Sequence, residues 1–186
     1  MPILGTIASS FKAGAATSFE SIATVSVGSG GSSSVSFSSI PNTYTHLQLR
    51  YIAQDNRGTF ADSEMKIQFN SDTTQNYSGH YIRGTGSVEA AWNGNETRLK
   101  QNCTSTAAGS NFAAGVIDIL DYANTNKYKT VRILGGFDNS SSGGIWLRSG
   151  LWMSTSAISS IQIGSDLGTS FNQYSHFALY GIKGVA

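Results

Sequence analysis

Charge is scarce in this sequence. Asp, Glu, Lys and Arg make up 12% of its 186 residues, about half of the ~25% usual in globular proteins. Amphipathic helices wet their outer faces with long charged side chains, and no amphipathic stretch of helical length occurs here. A net charge of +1, with the basic residues scattered, lacks the dense Lys and Arg cluster that neutralising phosphates demands, so nucleic acid is not an expected partner. The tightest basic group, Lys127, Lys129 and Arg132, is balanced by Asp118 and Asp121. Cysteine is nearly absent. Cys103 stands alone, which excludes an internal disulfide and a cysteine-built zinc site within one chain. No apolar run approaches the ~18 residues of a spanning helix, so no membrane span is expected. The apolar stretch from Pro2 to Ala8, followed by Ala13-Gly14-Ala15, imitates a signal peptide, but no positive charge precedes it, and a cleaved leader is not expected.

Small polar residues replace the missing charge: 29 Ser, 16 Thr, 12 Asn and 21 Gly. Such a composition suits short strands joined by tight turns. Period-two alternation is the dominant signal. Leu47, Leu49, Tyr51 and Ala53 alternate with Gln48 and Arg50; Met65, Ile67 and Phe69 alternate with Lys66 and Gln68. The same pattern marks Ala23 to Val27, Val35 and Phe37, Val131 and Ile133, Ile145 to Leu151, Ile161 and Ile163, and Phe177 and Leu179. Turn clusters separate the runs, among them 28–31, 56–58, 93–95, 139–144 and 165–169. Val116 to Leu120 is apolar nearly throughout, which fits a central strand buried on both faces. The pattern predicts nine or ten strands in a single all-β domain, a two-sheet antiparallel β-sandwich of jelly-roll type spanning 19–186. Leu49, Ile67, Val131, Ile133 and Leu179 are expected in its core. Residues 1–18 form a separate N-terminal arm, either a frayed terminus or a tether onto a neighbouring subunit, with Ile3, Leu4 and Ile7 as its apolar patch.

Chemistry-bearing constellations are few. His46, His80 and His176 are too far apart for a local metal motif, so no metal or cofactor is expected. No Gly-x-Ser-x-Gly elbow occurs, and no paired acids present themselves, so no enzymatic activity is expected. Asp118 sits inside an apolar strand and needs a partner there, with Arg132 or Lys129 the candidates. Trp92 lies beside Asn93 and Asn95, in a polar, strand-poor region with Tyr77, Tyr81 and Arg83 nearby. A flat ring flanked by amides is a combination that grips sugars, against the plain alternative of aromatics buried in sheet contacts. Trp146 and Trp152 share one face of a strand whose other face carries Ile145, Leu147 and Leu151. With the aliphatic side taken as core, the two tryptophans become a candidate assembly surface.

Several segments resemble a family of uncharacterised bacteriophage proteins: FESIATVSVGSGG (19–31), FSSIPNTYTHLQLR (37–50), VIDILDYANTNKYKTVR (116–132), SGLWM (149–153) and FALYGIKG (177–184). Residues 84–111 match least. The resemblance implies a virion component, often associated with tail genes in phages of aquatic bacteria, with no catalytic residues to carry over. A tail-fibre or receptor-binding head assembling as a trimer is the leading expectation, with itself, other virion proteins and host surface polysaccharide as partners. A capsid decoration or cement protein is the alternative, and a free carbohydrate-binding module a more distant one. The protein would be made in the bacterial cytoplasm and reside in the virion.

Overall fold

The computed structural model describes residues 18–140 and 142–184. They form twelve strands: β1 (Phe19–Ser26), β2 (Ser34–Phe37), β3 (His46–Asp55), β4 (Asp62–Phe69), β5 (Tyr77–Gly84), β6 (Val88–Glu96), β7 (Leu99–Ser105), β8 (Ala113–Leu120), β9 (Lys129–Asp138), β10 (Gly143–Trp152), β11 (Ile161–Ser165) and β12 (His176–Ile182). The one helical element among the described residues is a 3-10 turn at Thr106–Ala108. The protein is all-β, as its composition predicts.

Hydrogen bonding runs in the order β1-β12-β3-β8-β9-β10-β5-β6 along one stretch and β2-β11-β4-β7 along another. The stretches join where the last residues of β3 pair with β7 in parallel, Gln54 with Thr104 and Asp55 with Ser105. All other strand pairings are antiparallel. The result is a large mixed sheet rather than a purely antiparallel one. β7 also lies near β8, β9 and β10 without ladder pairing to them, so it packs the shorter stretch against the longer one.

Alternation decides what fills the space between them. Leu47, Leu49, Tyr51 and Ala53 of β3 point inward, as do Met65, Ile67 and Phe69 of β4 and Ile161 and Ile163 of β11. Leu49, Ile67, Val131, Ile133 and Leu179 are each at most 2% exposed, as their alternation predicts. β8 departs from expectation. Ile117 and Ile119 are buried, but Val116, Asp118 and Leu120 are only half-buried. The strand is central in the order yet covered on one face only.

Asn70 and Ser71 both take positive φ, 51° and 57°, and the Asp72 amide donates to the Phe69 carbonyl at 2.8 Å. Asn tolerates that conformation and brings its own amide to use. Its Oδ1 accepts from the Ser159 and Ser160 backbone amides at 2.9 and 3.1 Å, and its Nδ2 donates to the Ala157 carbonyl at 2.8 Å. Lys129 holds the same 153–160 segment from the other side. It has no exposed surface, and its ammonium donates to the carbonyls of Asn124 (2.6 Å), Lys127 (2.9 Å) and Thr155 (3.2 Å). A buried cation needs this density of acceptors. Lys129 is therefore not the partner of Asp118. That carboxylate accepts from Gln48 Nε2 at 2.8 Å, with Arg132 its cross-strand neighbour.

Candidate functional surfaces

Among the described residues β6 pairs only with β5 and so forms the edge of the long stretch. Residues 85–91 are all exposed, and Gly86 takes φ 100° in the turn, a conformation that favours glycine. Arg83 stands directly opposite Glu89 and donates to it from Nε at 2.7 Å, pinning the hairpin register. This pair is solvent-accessible and contributes at most about 1 kcal/mol. The backbone of Trp92 lies in β6 opposite His80, and that of Asn93 opposite Gly79, their side chains lying outside what the structure describes. Asn95 is exposed with φ 54°, close to the end of the strand. The three candidate receptor residues thus share one edge strand.

The assembly residues divide. Ile3, Leu4 and Ile7 lie outside the described residues. Trp146 and Trp152 do not form an outward surface: each is 2% exposed. Trp146 stacks on Phe137 with centroids 5.8 Å apart. Trp152 stacks on Tyr77 at 6.4 Å, lies 5.6 Å from Phe69, and donates from Nε1 to Asp72 at 2.7 Å. That bond, with others from Thr74 and Asn76, outweighs the upward push of burial and holds the Asp72 carboxyl at about 2. The reversal has a physical cause. β10 is apolar on both faces, so alternation separates the faces without saying which is inner, and the larger rings gain more from burial. Ile145 and Leu147, expected inside, are 60% and 56% exposed.

Two polar groupings are buried between the strands. Asp55 has no exposed surface and accepts from Ser63 (2.5 Å), Thr169 (2.6 Å) and the Arg57 amide (3.1 Å). It clasps the end of β3, the start of β4 and the β11–β12 connection. Ser63 is equally buried, so the carboxylate and its nearest hydroxyl are shut away from any substrate. Deeper in, Gln101 donates to the Tyr51 hydroxyl at 2.5 Å, and Arg148 donates to Asn102 while its guanidinium lies 4.6 Å from the Tyr81 ring centroid. Arg148 Nε has no partner among the described residues, and a cavity of about 30 Å³ beside it has room for a water-sized molecule.

Cys103 has no exposed surface, and burial pushes its thiol well up, away from the reactive thiolate. No group of three His, Cys, Asp or Glu side chains among the described residues is placed to hold a metal ion. No described helix is long and apolar enough to cross a membrane. What the geometry offers is surface: an exposed hairpin and a broad aliphatic sheet face. No family model, curated protein or solved structure matches the chain.

Proposed function

We propose that this chain is a structural protein of a bacteriophage particle, a jelly-roll head domain of a tail fibre or receptor-binding module that assembles as a trimer. The strand order is the observation that carries the reading. Setting aside the hairpins β5–β6 and β9–β10, the remaining eight strands run β1-β12-β3-β8 opposite β2-β11-β4-β7. Numbered one to eight, that is first, eighth, third, sixth against second, seventh, fourth, fifth, an order that supports the jelly-roll reading. The two hairpins extend one sheet beyond β8 and enlarge its open face. Jelly rolls recur in viral capsid and lectin domains, an analogy of fold that raises the prior without fixing the role. Sparse charge and the shut-away Asp55 clasp suit a scaffold better than a catalyst. The projecting β5–β6 hairpin, with Trp92, Asn93 and Asn95 along one edge strand, is the receptor contact in this reading, since exposed tips on a rigid scaffold commonly carry recognition.

A capsid decoration or cement protein is the second reading, and the breadth of the aliphatic sheet face favours it, because a cement protein works through lateral contacts. Antibodies raised against the purified protein discriminate between the two. Labelling of tail tips in micrographs, with adsorption to host cells blocked, supports the receptor-binding role. Labelling of the head with normal adsorption establishes decoration instead. Particles that carry no label at either place overturn both.

A further inference from the structure

The longer strand stretch has an outer face that none of the described residues covers. Six of the exposed large apolar side chains of the described residues stand on it: Ile52, Ile82, Val88, Leu134, Ile145 and Leu147. Register places them in two adjacent rows. One row runs Arg50, Val116, Leu134, Leu147, Ile82, Ala90 across β3, β8, β9, β10, β5 and β6. The next runs Ile52, Ala114, Gly136, Ile145, Gly84, Val88 across the same strands. Six strands span about 24 Å at 4.8 Å per strand. Between Ile52 and Ile145 the floor drops to Ala114 and Gly136, leaving an open trough of about 740 Å³.

We infer that this face is where a second copy of the chain docks, an inference that rests on the self-assembly in the proposed function but not on its place in the particle. Area is the first argument. Six aliphatic side chains, each about half exposed or more, leave on the order of 600 Å² of apolar residue surface. That is the top of the range for a monomer's largest patch and most of the ~800 Å² one partner contributes to a stable interface. Chemistry is the second. The next row on the other side reads Gln48, Asp118, Arg132, Ser149, His80, a polar border carrying both signs of charge. An interface core of aliphatics with a polar rim is the expected anatomy. A border holding both Asp118 and Arg132 can answer itself across two copies, whereas an acidic or basic partner meets repulsion from one of them. Shape is the third: aliphatic ridges beside a trough of small residues let one copy's ridge enter the other's trough.

Sedimentation equilibrium of the full chain, wild type against Leu147→Glu, tests the assignment. Leu147 lies between Leu134 and Ile82 in the middle of a row, and its exposure lets the substitution leave the fold intact, as circular dichroism checks. The wild type is heavier than one chain at micromolar concentration, and Leu147→Glu weakens association by roughly a hundredfold, the scale of unpaired charges buried in an interface core. Leu147→Cys supplies a second readout. Because Cys103 is buried, the introduced thiol reacts alone with a water-soluble reagent, and association slows that reaction in step with the mass. A wild type that stays monomeric overturns the inference, as does an unchanged mass for Leu147→Glu. A thiol protected in a monomer also overturns it and assigns the face to residues 1–17 of the same chain. A particle-bound protein that fails these tests leaves its place in the particle standing and removes this docking face; an associating protein absent from particles does the reverse.

Discussion

Replacing Trp146 with alanine removes a ring that is 2% exposed, stacks on Phe137 and closes over Gly144, where an added Cβ would lie 2.5 Å from the indole. Burying an indole takes on the order of 200 Å² out of water, about 5 kcal/mol at 25 cal/mol/Å². Truncations of this kind cost about 3–5 kcal/mol, the spread depending on how far the site collapses. Collapse is hindered here, because β10 is held by continuous antiparallel pairing to β9 on one side and β5 on the other. A loss of about 4 kcal/mol follows, equivalent to a drop of roughly 8–16 °C in melting temperature for a chain of this length. The neighbouring Leu147→Ala serves as the control, since that side chain is 56% exposed and its truncation costs less than about 0.5 kcal/mol. Both are measured by urea denaturation followed by circular dichroism, at dilution low enough that association adds nothing to apparent stability. Should Leu147→Ala prove the costly change and Trp146→Ala the neutral one, the two faces of β10 are assigned the wrong way round.

Lys129→Met keeps the length of the side chain and removes its donors, leaving the carbonyls of Asn124, Lys127 and Thr155 to find others. A loss of about 2–4 kcal/mol is expected, read as a lower urea midpoint; an unchanged midpoint means that water replaces the ammonium without cost. The Asp72 carboxyl sits at about 2 in the folded chain against 3.8 for the free group, so its contribution to stability is complete above the higher value and is lost as pH falls towards the lower. With a discount for its partial exposure the effect is about 1–2 kcal/mol. Trp152→Phe, which removes one donor to Asp72, should raise that carboxyl's pKa, read by titrating its NMR signal. A titration indistinguishable from wild type would show that Thr74 and Asn76 suffice.

Alternation was legible wherever inner residues are apolar and outer ones polar, as in β3 and β4, and it placed Leu49, Ile67, Val131, Ile133 and Leu179 correctly in the core. Strands β5 to β7 escaped the pattern. β7 is the instructive case: Gln101, Asn102, Thr104 and Ser105 are all buried in it. Most of their polar groups find partners inside, Gln101 Nε2 on the Tyr51 hydroxyl and Thr104 on the Asn111 carbonyl at 2.7 Å, while Gln101 Oε1 has none among the described residues. A strand that fills its buried positions with polar groups, most of them hydrogen-bonded, looks like a loop to any hydrophobic count. The weak alternation of Leu99, Gln101 and Cys103 with Lys100 and Asn102 was the one signal available. The parallel β3–β7 junction was invisible for a different reason, since pairing between strands so far apart in sequence leaves no local mark.

β10 posed an ambiguity that no strand resolves by itself. Both its faces are apolar, so its sequence says that both want cover, and the tryptophans took the covered side. What remains outside is informative because it extends across neighbours: Ile52 of β3, Leu134 of β9, Ile82 of β5 and Val88 of β6 are exposed on the same face. A chain with 29 Ser and 16 Thr has residues suited to a wetted strand face, and it uses them elsewhere. Ser21, Thr24 and Ser26 occupy exposed positions of β1, and Ser36 does so in β2. Aliphatic side chains in the equivalent outward positions of β3, β9, β10, β5 and β6 therefore depart from the chain's own habit. Single exposed aliphatics need no explanation, but a contiguous set does. Stability of one copy gains little from these side chains. They gain on the order of 0.8 kcal/mol per buried CH₂ only when another surface excludes water from them.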